Sequence, residues 1–164
     1  MNSHPLKKIG DRLRNREIKI RPATTSDLGS MTSLLGELFS IEKDFTANVR
    51  KQRLGLATLM ASEDATMLVA VLKREIIGMC TLQPLISTAE GGTVGMVEDL
   101  VVAASYRGKG IGAMLLDAIE IIAREQGMTR LQLLTDKDNE GALRFYDNHQ
   151  WQRLNLIPMR KRID

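Results

Sequence analysis

The succession of hydrophobic periods along the chain predicts an α/β fold: a mixed, mostly antiparallel central sheet flanked by helices on both faces. Three observations carry this prediction. Two helical periods in the first third give way at Thr66 to strand-like runs. Those runs, about 66–72, 76–86 and 93–103, are joined by short polar or glycine turns, as in an antiparallel meander. A long amphipathic helix and another strand follow, which makes a strand-helix-strand crossover and hence one parallel pairing.

Each element has its own signal. Glu17-Ile18-Lys19-Ile20-Arg21 alternates as a half-buried strand does, and Pro22 ends it. Ser26-Asp27 offers an N-cap for a helix whose Leu28, Met31, Leu34, Leu35 and Leu38 recur at spacings of three and four. A second helical pattern runs from about Ala47 to Ala61, weakened by Gly55. Lys73-Arg74-Glu75 joins the first two meander strands, and Gly91-Gly92 turns into the third. From Gly110 to Gln126, Ile111, Met114, Leu115, Ala118, Ile119 and Ile122 form one apolar stripe, and Gly127 stands where a left-handed C-cap belongs. Leu131–Thr135 reads as a buried strand, Asn139–Asn148 as a last helix, and Trp151 to Arg160 as one or two closing strands. No repeat or linker interrupts this order. The chain therefore reads as a basic extension, 1–16, followed by a single domain, 17–164.

Composition narrows the function classes. A chain of 164 residues, 43% hydrophobic and 26% charged, suits one soluble domain with a full core. No apolar run approaches the ~18–20 residues of a membrane span, and the N-terminus shows no apolar signal region. A single cysteine, Cys80, excludes an internal disulfide and a cysteine-rich zinc site. The expectation is a cytoplasmic protein with no metal and no membrane partner. The net charge of +3 gathers at the two ends, as in Lys7, Lys8 and Arg12 or Arg160, Lys161 and Arg162. Such arms suit a polyanion, but three Phe, two Tyr and one Trp give no stacking platform, so nucleic acid is not the expected partner.

The segment Arg107-Gly108-Lys109-Gly110-Ile111-Gly112 lies between a strand and a helix. Glycines let backbone N–H groups approach an anion closely, and the helix N-terminus adds partial positive charge. With Arg107 and Lys109 alongside, the turn suits a pyrophosphate. It is not a P-loop, because G-x-x-x-x-G-K-[ST] occurs nowhere in the chain. Gly108-x-Gly110-x-x-Ala113 does satisfy a relaxed dinucleotide fingerprint, with Asp136 as the ribose-binding acid, which keeps an NAD-binding alternative open. Against it, Ala103 to Arg107 separate the strand from the first glycine, and the 28 residues after Asp136 are too few for further βα units.

Val97-Glu98-Asp99-Leu100-Val101-Val102, Tyr106-Arg107-Gly108-Lys109-Gly110-Ile111-Gly112, and then Asn139, Ala142 and Phe145-Tyr146 together resemble the GCN5-related N-acetyltransferases. That family's coenzyme signature, [Q/R]-x-x-G-x-[G/A], is matched by Arg107, Gly110 and Gly112. The resemblance implies the acyl-CoA N-acyltransferase fold, with the strand of Leu100, Val101 and Val102 splayed from that of Leu131–Thr135. It further implies acetyl-CoA as cosubstrate, its pantetheine arm on the backbone of Leu100 and Val102 and its pyrophosphate on the amides of Arg107 to Gly112. Asn139 would help position the coenzyme, Tyr146 would stand near the thioester sulfur, and a homodimer is the family guess. One departure stands out: the family's glycine before the aromatic is Gln150 here, ahead of Trp151, which moves the expected left-handed cap to Asn148 or His149.

These residues fit the chemistry of acyl transfer. An alkylamine with a pKa of about 10.4 is protonated at neutral pH and needs a base or a desolvating pocket. Glu98 is the candidate base. Regular alternation puts Glu98, Leu100 and Val102 on one face and Asp99, Val101 and Ala103 on the other; the plainer role for Glu98 is pairing with a Lys or Arg of the next strand. Tyr146 is the candidate acid for the leaving thiolate, against the plainer role of a core aromatic. Cys80 reads as a small core residue, His149 as a surface cap, and Glu37, Glu42 and Asp44 as acids flanking the region where family substrates enter. The expectation is an enzyme that moves acetyl from acetyl-CoA to a primary amine, small or on a protein, by direct attack in a ternary complex. The alternative is a silent CoA-binding regulatory module, which needs neither Glu98 nor Tyr146.

Overall fold

The middle strand of the sheet organises the fold. In the computed structural model, which describes residues 17–41 and 44–163, β3 (Glu75–Ser87) lies between β2 (Thr66–Leu72) and β4 (Gly92–Val102). Every residue from Ile77 to Leu82 is buried, so both faces of β3 must be covered. Met79 joins a cluster with Met31, Leu34, Leu35, Leu56, Met67, Val69 and Val101. That face therefore carries α1 (Leu28–Ile41) and α2 (Val49–Met60). Gly78 points the other way, where an added Cβ would meet Leu115 at 3.2 Å and Ile111 at 3.5 Å; this is the face of α3 (Ile111–Glu125).

β1 (Ile18–Pro22) pairs with β2, and β5 (Leu131–Gln132) with β4, so the order is β1-β2-β3-β4-β5. All pairings are antiparallel except β4 with β5. This is the mixed, helix-flanked sheet that the periods predict. The β2–β3 hairpin turns through Lys73 and Arg74, with Lys73 in the left-handed region at φ 57°. No helix among the described residues is long and apolar enough to cross a membrane.

The caps refine the expected boundaries. The first helix is entered through a 3-10 turn, Thr25–Asp27, whose N-cap is Thr24 rather than Ser26 or Asp27. Asp27 closes the capping box, its carboxylate accepting from the Thr24 N–H at 2.8 Å and from Arg21 at 2.7 and 2.9 Å. Asn48 caps α2 by accepting from the Lys51 N–H at 3.0 Å, so that helix begins at Val49, later than about Ala47. α3 ends in a Schellman motif. Met128 N–H donates to the Ala123 carbonyl and Gly127 N–H to that of Arg124, with Gly127 left-handed as expected.

The chain divides into two compact units after Gln132. The second unit contains α4 (Glu140–Asn148), N-capped by Asn139. It also ends in a Schellman motif: Trp151 N–H donates to the Tyr146 carbonyl and Gln150 N–H to that of Asp147. The left-handed residue is Gln150, at φ 64°, whereas Asn148 or His149 was expected. The motif fixes the position two residues past the last helical one as left-handed, whatever the side chain there. Two further expectations fail. The strand at Leu131 stops at Gln132 instead of Thr135, and among the described residues no strand forms from Trp151 to Arg160. Apolar alternation there breaks at Leu156-Ile157, and Pro158 has no N–H to offer a partner.

Candidate active site

β4 carries a bulge. Met79 pairs with Val101 but Thr81 pairs with Glu98, so two steps on β3 face three on β4. The extra step is taken at Asp99, which sits in the left-handed region at φ 51°. Thr81, fully buried, donates its hydroxyl to the Glu98 carbonyl at 3.0 Å and to the Asp99 carboxylate at 3.3 Å. The bulge overturns the regular alternation expected of this segment. Residues paired with Met79 and Thr81 share a face, so Glu98 and Val101 lie together on the α1–α2 side and Val102 on the other. Glu98 is exposed, and its carboxylate accepts from the Gln83 amide at 3.2 Å; among the described residues it pairs with no Lys or Arg.

Beside the bulge, β4 has an open edge. β5 meets it only at Gly95↔Leu131 and Met96↔Gln132. The contact is close, because a Cβ on Gly95 would stand 2.6 Å from both Leu131 and Leu82. From Val97 onward no described strand pairs with that edge, and within this stretch the Glu98 and Val102 carbonyls accept from Thr81 and Arg107.

The glycine turn follows directly. A 3-10 turn, Ala104–Tyr106, leads into exposed Arg107, Gly108, Lys109 and Gly110. Gly108 and Gly110 are left-handed at φ 72° and 82°, a conformation that suits glycine. Gly110 is the N-cap of α3 and supplies no side-chain cap; the first helical bond runs from the Met114 N–H to the Gly110 carbonyl. The amides of Ile111, Gly112 and Ala113 therefore have no intrahelical acceptor. Donors of this kind at a helix N-terminus fit a pyrophosphate.

The two cations of the turn serve it internally. The Arg107 Nε donates to the Val102 carbonyl at 2.9 Å, and its guanidinium lies 3.6 Å from Glu37. Lys109 Nζ donates to the Ser105 carbonyl at 2.7 Å and stands 4.9 Å from the centre of the Tyr106 ring. Glu37 also accepts from the Ala104 N–H at 3.0 Å. That acid, read in the sequence as flanking the substrate entrance, pins the turn instead. Glu37 and Ala104 stand 67 positions apart, and no sequence spacing signals the contact. Glu42 lies outside the described residues, and Asp44 is a described, exposed residue.

In the second unit, Asn139 accepts from the Ala142 N–H at 3.0 Å, so its carbonyl oxygen caps α4. The Tyr146 ring packs edge-on against Phe145 at 5.2 Å and tilted against Trp151 at 5.8 Å. His149 holds its Nδ1 2.7 Å from the Phe145 carbonyl, which fits a local cap. Cys80 is fully buried, and burial pushes its thiol up to about 12, so it is no nucleophile in this state.

An open-edged, bulged strand running into an amide-lined glycine turn defines a class of coenzyme-binding α/β protein, and comparison with known proteins narrows the class. The acetyltransferase (GNAT) family model matches residues 32–150. The chain is 31% identical to an aminoalkylphosphonate N-acetyltransferase of Salmonella typhimurium, over 78% of this chain and 80% of that one. It is 33% identical to a glucosamine 6-phosphate N-acetyltransferase of Trypanosoma brucei brucei, over 80% and 86%. In fold it matches the crystal structure of a possible acetyltransferase from Clostridium difficile 630 at a TM-score of 0.79, with 18% identity over 90% and 98% of the two chains. The chain belongs to the GNAT acetyltransferase family, whose members are acyltransferases that use acetyl-CoA.

Proposed function

We propose that the chain transfers acetyl from acetyl-CoA to the primary amine of a small acceptor bearing a phosphonate or phosphate, by direct attack in a ternary complex. The observation that carries the coenzyme half is the run of amides from Gly108 to Ala113, exposed at Gly108 to Gly110 and set directly after the open edge of β4. In this reading Arg107, Gly108, Lys109, Gly110, Ile111 and Gly112 hold the pyrophosphate, and the main chain of Leu100, Val101 and Val102 holds the pantetheine arm. Asn139 contributes to the same binding through its amide nitrogen. The acceptor half is supported by two relatives whose names specify amines carrying a phosphonate or a phosphate. The domain spans 17–164, and the lone buried cysteine accords with a cytoplasmic setting.

The chemistry needs little covalent work from the protein. The amine nitrogen attacks the thioester carbonyl, the C–N bond forms as the C–S bond breaks, and the electron pair leaves on sulfur. Glu98, directly or through water, accepts the amine proton, and Tyr146 donates a proton to the departing thiolate. β4 amides beside the bulge polarise the carbonyl oxygen. Holding amine and thioester together supplies much of the remaining rate.

Titration calorimetry with acetyl-CoA, with NADH as the control ligand, tests the coenzyme half. Saturable binding of acetyl-CoA alone is expected, weakened in Gly110→Asp by the carboxylate set against the pyrophosphate. Binding of NADH alone would return the dinucleotide reading. Thiol release with an aminoalkylphosphonate or glucosamine 6-phosphate tests the acceptor half; binding without release with any amine would leave a silent CoA-binding module.

A further inference from the structure

β1, the 3-10 turn with the start of α1, and the β2–β3 turn enclose a hollow of about 610 Å³ in the first unit. Ile20, Val71 and Ile76, all half-buried, give it apolar surface. Lys19, Arg21, Lys73 and Arg74 also line it, with Ser26 and Ser30. The one acid in the lining, Asp27, is already paired with Arg21 at 2.7 Å. Glu75, next in the β2–β3 turn, accepts from the Tyr106 hydroxyl at 2.7 Å. Lys19, Lys73 and Arg74 are exposed, and among the described residues none is paired with a carboxylate. Three like charges therefore share one hollow without a counter-charge, and their repulsion opposes folding. Lys73 adds a conformational cost, since it holds the left-handed position of its turn at φ 57°, which glycine or asparagine takes more readily.

We propose that this hollow binds a small phosphomonoester, its phosphate on Lys19, Lys73 and Arg74 and its organic part against Ile20, Val71 and Ile76. The site is distinct from the acetyl-transfer site, because neither the glycine turn nor Glu98 lines it. A phosphate brings close to two negative charges and three acceptor oxygens, which answers three cations better than a single carboxylate does. Arg74 offers a planar fork for two of those oxygens, and the lysines add point charges. The Ser30 hydroxyl is a further donor. Binding relieves the repulsion among the cations, so a set that is unfavourable to the fold is favourable to the ligand. The volume suits a compact metabolite. No aromatic side chain lines the hollow, so it has no platform on which the bases of a nucleic-acid strand would stack.

The test titrates phenyl phosphate and inorganic phosphate by calorimetry into the full chain, with and without acetyl-CoA. Phenyl phosphate should bind at one site, about tenfold more tightly than inorganic phosphate, and equally well in the presence of acetyl-CoA. Lys73→Gly and Arg74→Ser should each weaken that binding at least about tenfold and flatten its dependence on salt. Lys73→Gly should also keep or raise the melting temperature, because glycine relieves the turn. The proposal is overturned by a phenyl phosphate that does not saturate, or by affinities that neither variant changes. Equal affinity for the two phosphates overturns the part assigned to Ile20, Val71 and Ile76. Loss of phenyl phosphate binding when acetyl-CoA is added overturns it too, and gives the anion to the glycine turn. Variants that weaken acetyl-CoA but not its 3′-dephospho form would hand the hollow to the coenzyme. Retention of duplex RNA without phenyl phosphate binding would make this surface a nucleic-acid contact instead. An acetyl-CoA that fails to bind overturns the acetyl-transfer reading and leaves the titration of the hollow to stand by itself.

Discussion

Thr81 on β3 holds Asp99 on β4 in a left-handed conformation: its hydroxyl donates to the Asp99 carboxylate at 3.3 Å and to the preceding carbonyl, that of Glu98, at 3.0 Å. A non-glycine residue at positive φ costs on the order of 1–2 kcal/mol, and the buried hydroxyl is what offsets it. Thr81→Val keeps the shape and removes the donor. Urea unfolding should show a loss of about 1–2 kcal/mol, and calorimetry a weaker acetyl-CoA complex, since the bulge aims the open edge of β4. A variant as stable as the wild type would mean that the bulge is fixed by strand register alone.

Gln150 occupies the left-handed site of the Schellman motif that ends α4. The motif's two hydrogen bonds hold φ there regardless of side chain, so glutamine is strained where glycine would not be. Gln150→Gly should raise the unfolding free energy by about 0.5–1 kcal/mol, read as a higher melting temperature with unchanged kcat. A lower melting temperature would show that the Gln150 side chain makes a compensating contact.

Much of this was legible in the sequence because the signals are local. The stripe of Ile111, Leu115 and Ile119, the glycines at 108, 110 and 127, and the meander of β2 to β4 all announce themselves within a few residues. The site's supports were not legible, because they act across the chain. Glu37 reaches Ala104, and Thr81 reaches Asp99, through contacts that no spacing encodes. The bulge at Asp99 is hidden for a related reason. Alternation in Glu98 to Val102 reads as a regular strand, and only the register with β3 exposes the extra residue.

The Arg21–Asp27 pair makes a prediction about acid. Arg21 donates twice to the Asp27 carboxylate and, with help from the Thr24 N–H and hydroxyl and against the opposing effect of burial, holds its pKa down at about 2. A carboxyl lowered in the folded state binds its proton less readily than in the unfolded chain. Its stabilisation is therefore complete above the ordinary value near pH ~4 and is lost as the pH falls from there through about 2. Because Arg21 is partly exposed and screened, the contribution should be about 1–2 kcal/mol. Asp27→Asn should lose that amount at pH 7 and show a flatter decline in unfolding free energy between pH 5 and pH 2. An equal slope in wild type and variant would place the acid sensitivity elsewhere.

Tyr146 separates catalysis from packing. Its ring is held by Phe145 and Trp151, contacts that a phenylalanine ring keeps. Tyr146→Phe therefore removes the hydroxyl while keeping these ring contacts and the backbone bonds of Trp151 and His149, which use the Tyr146 carbonyl. If the hydroxyl protonates the departing thiolate, kcat should fall by roughly 10²–10⁴-fold, with the calorimetric affinity for acetyl-CoA and the melting temperature near those of the wild type. Equal rates in the two proteins would assign proton delivery to water and reduce Tyr146 to its aromatic contacts.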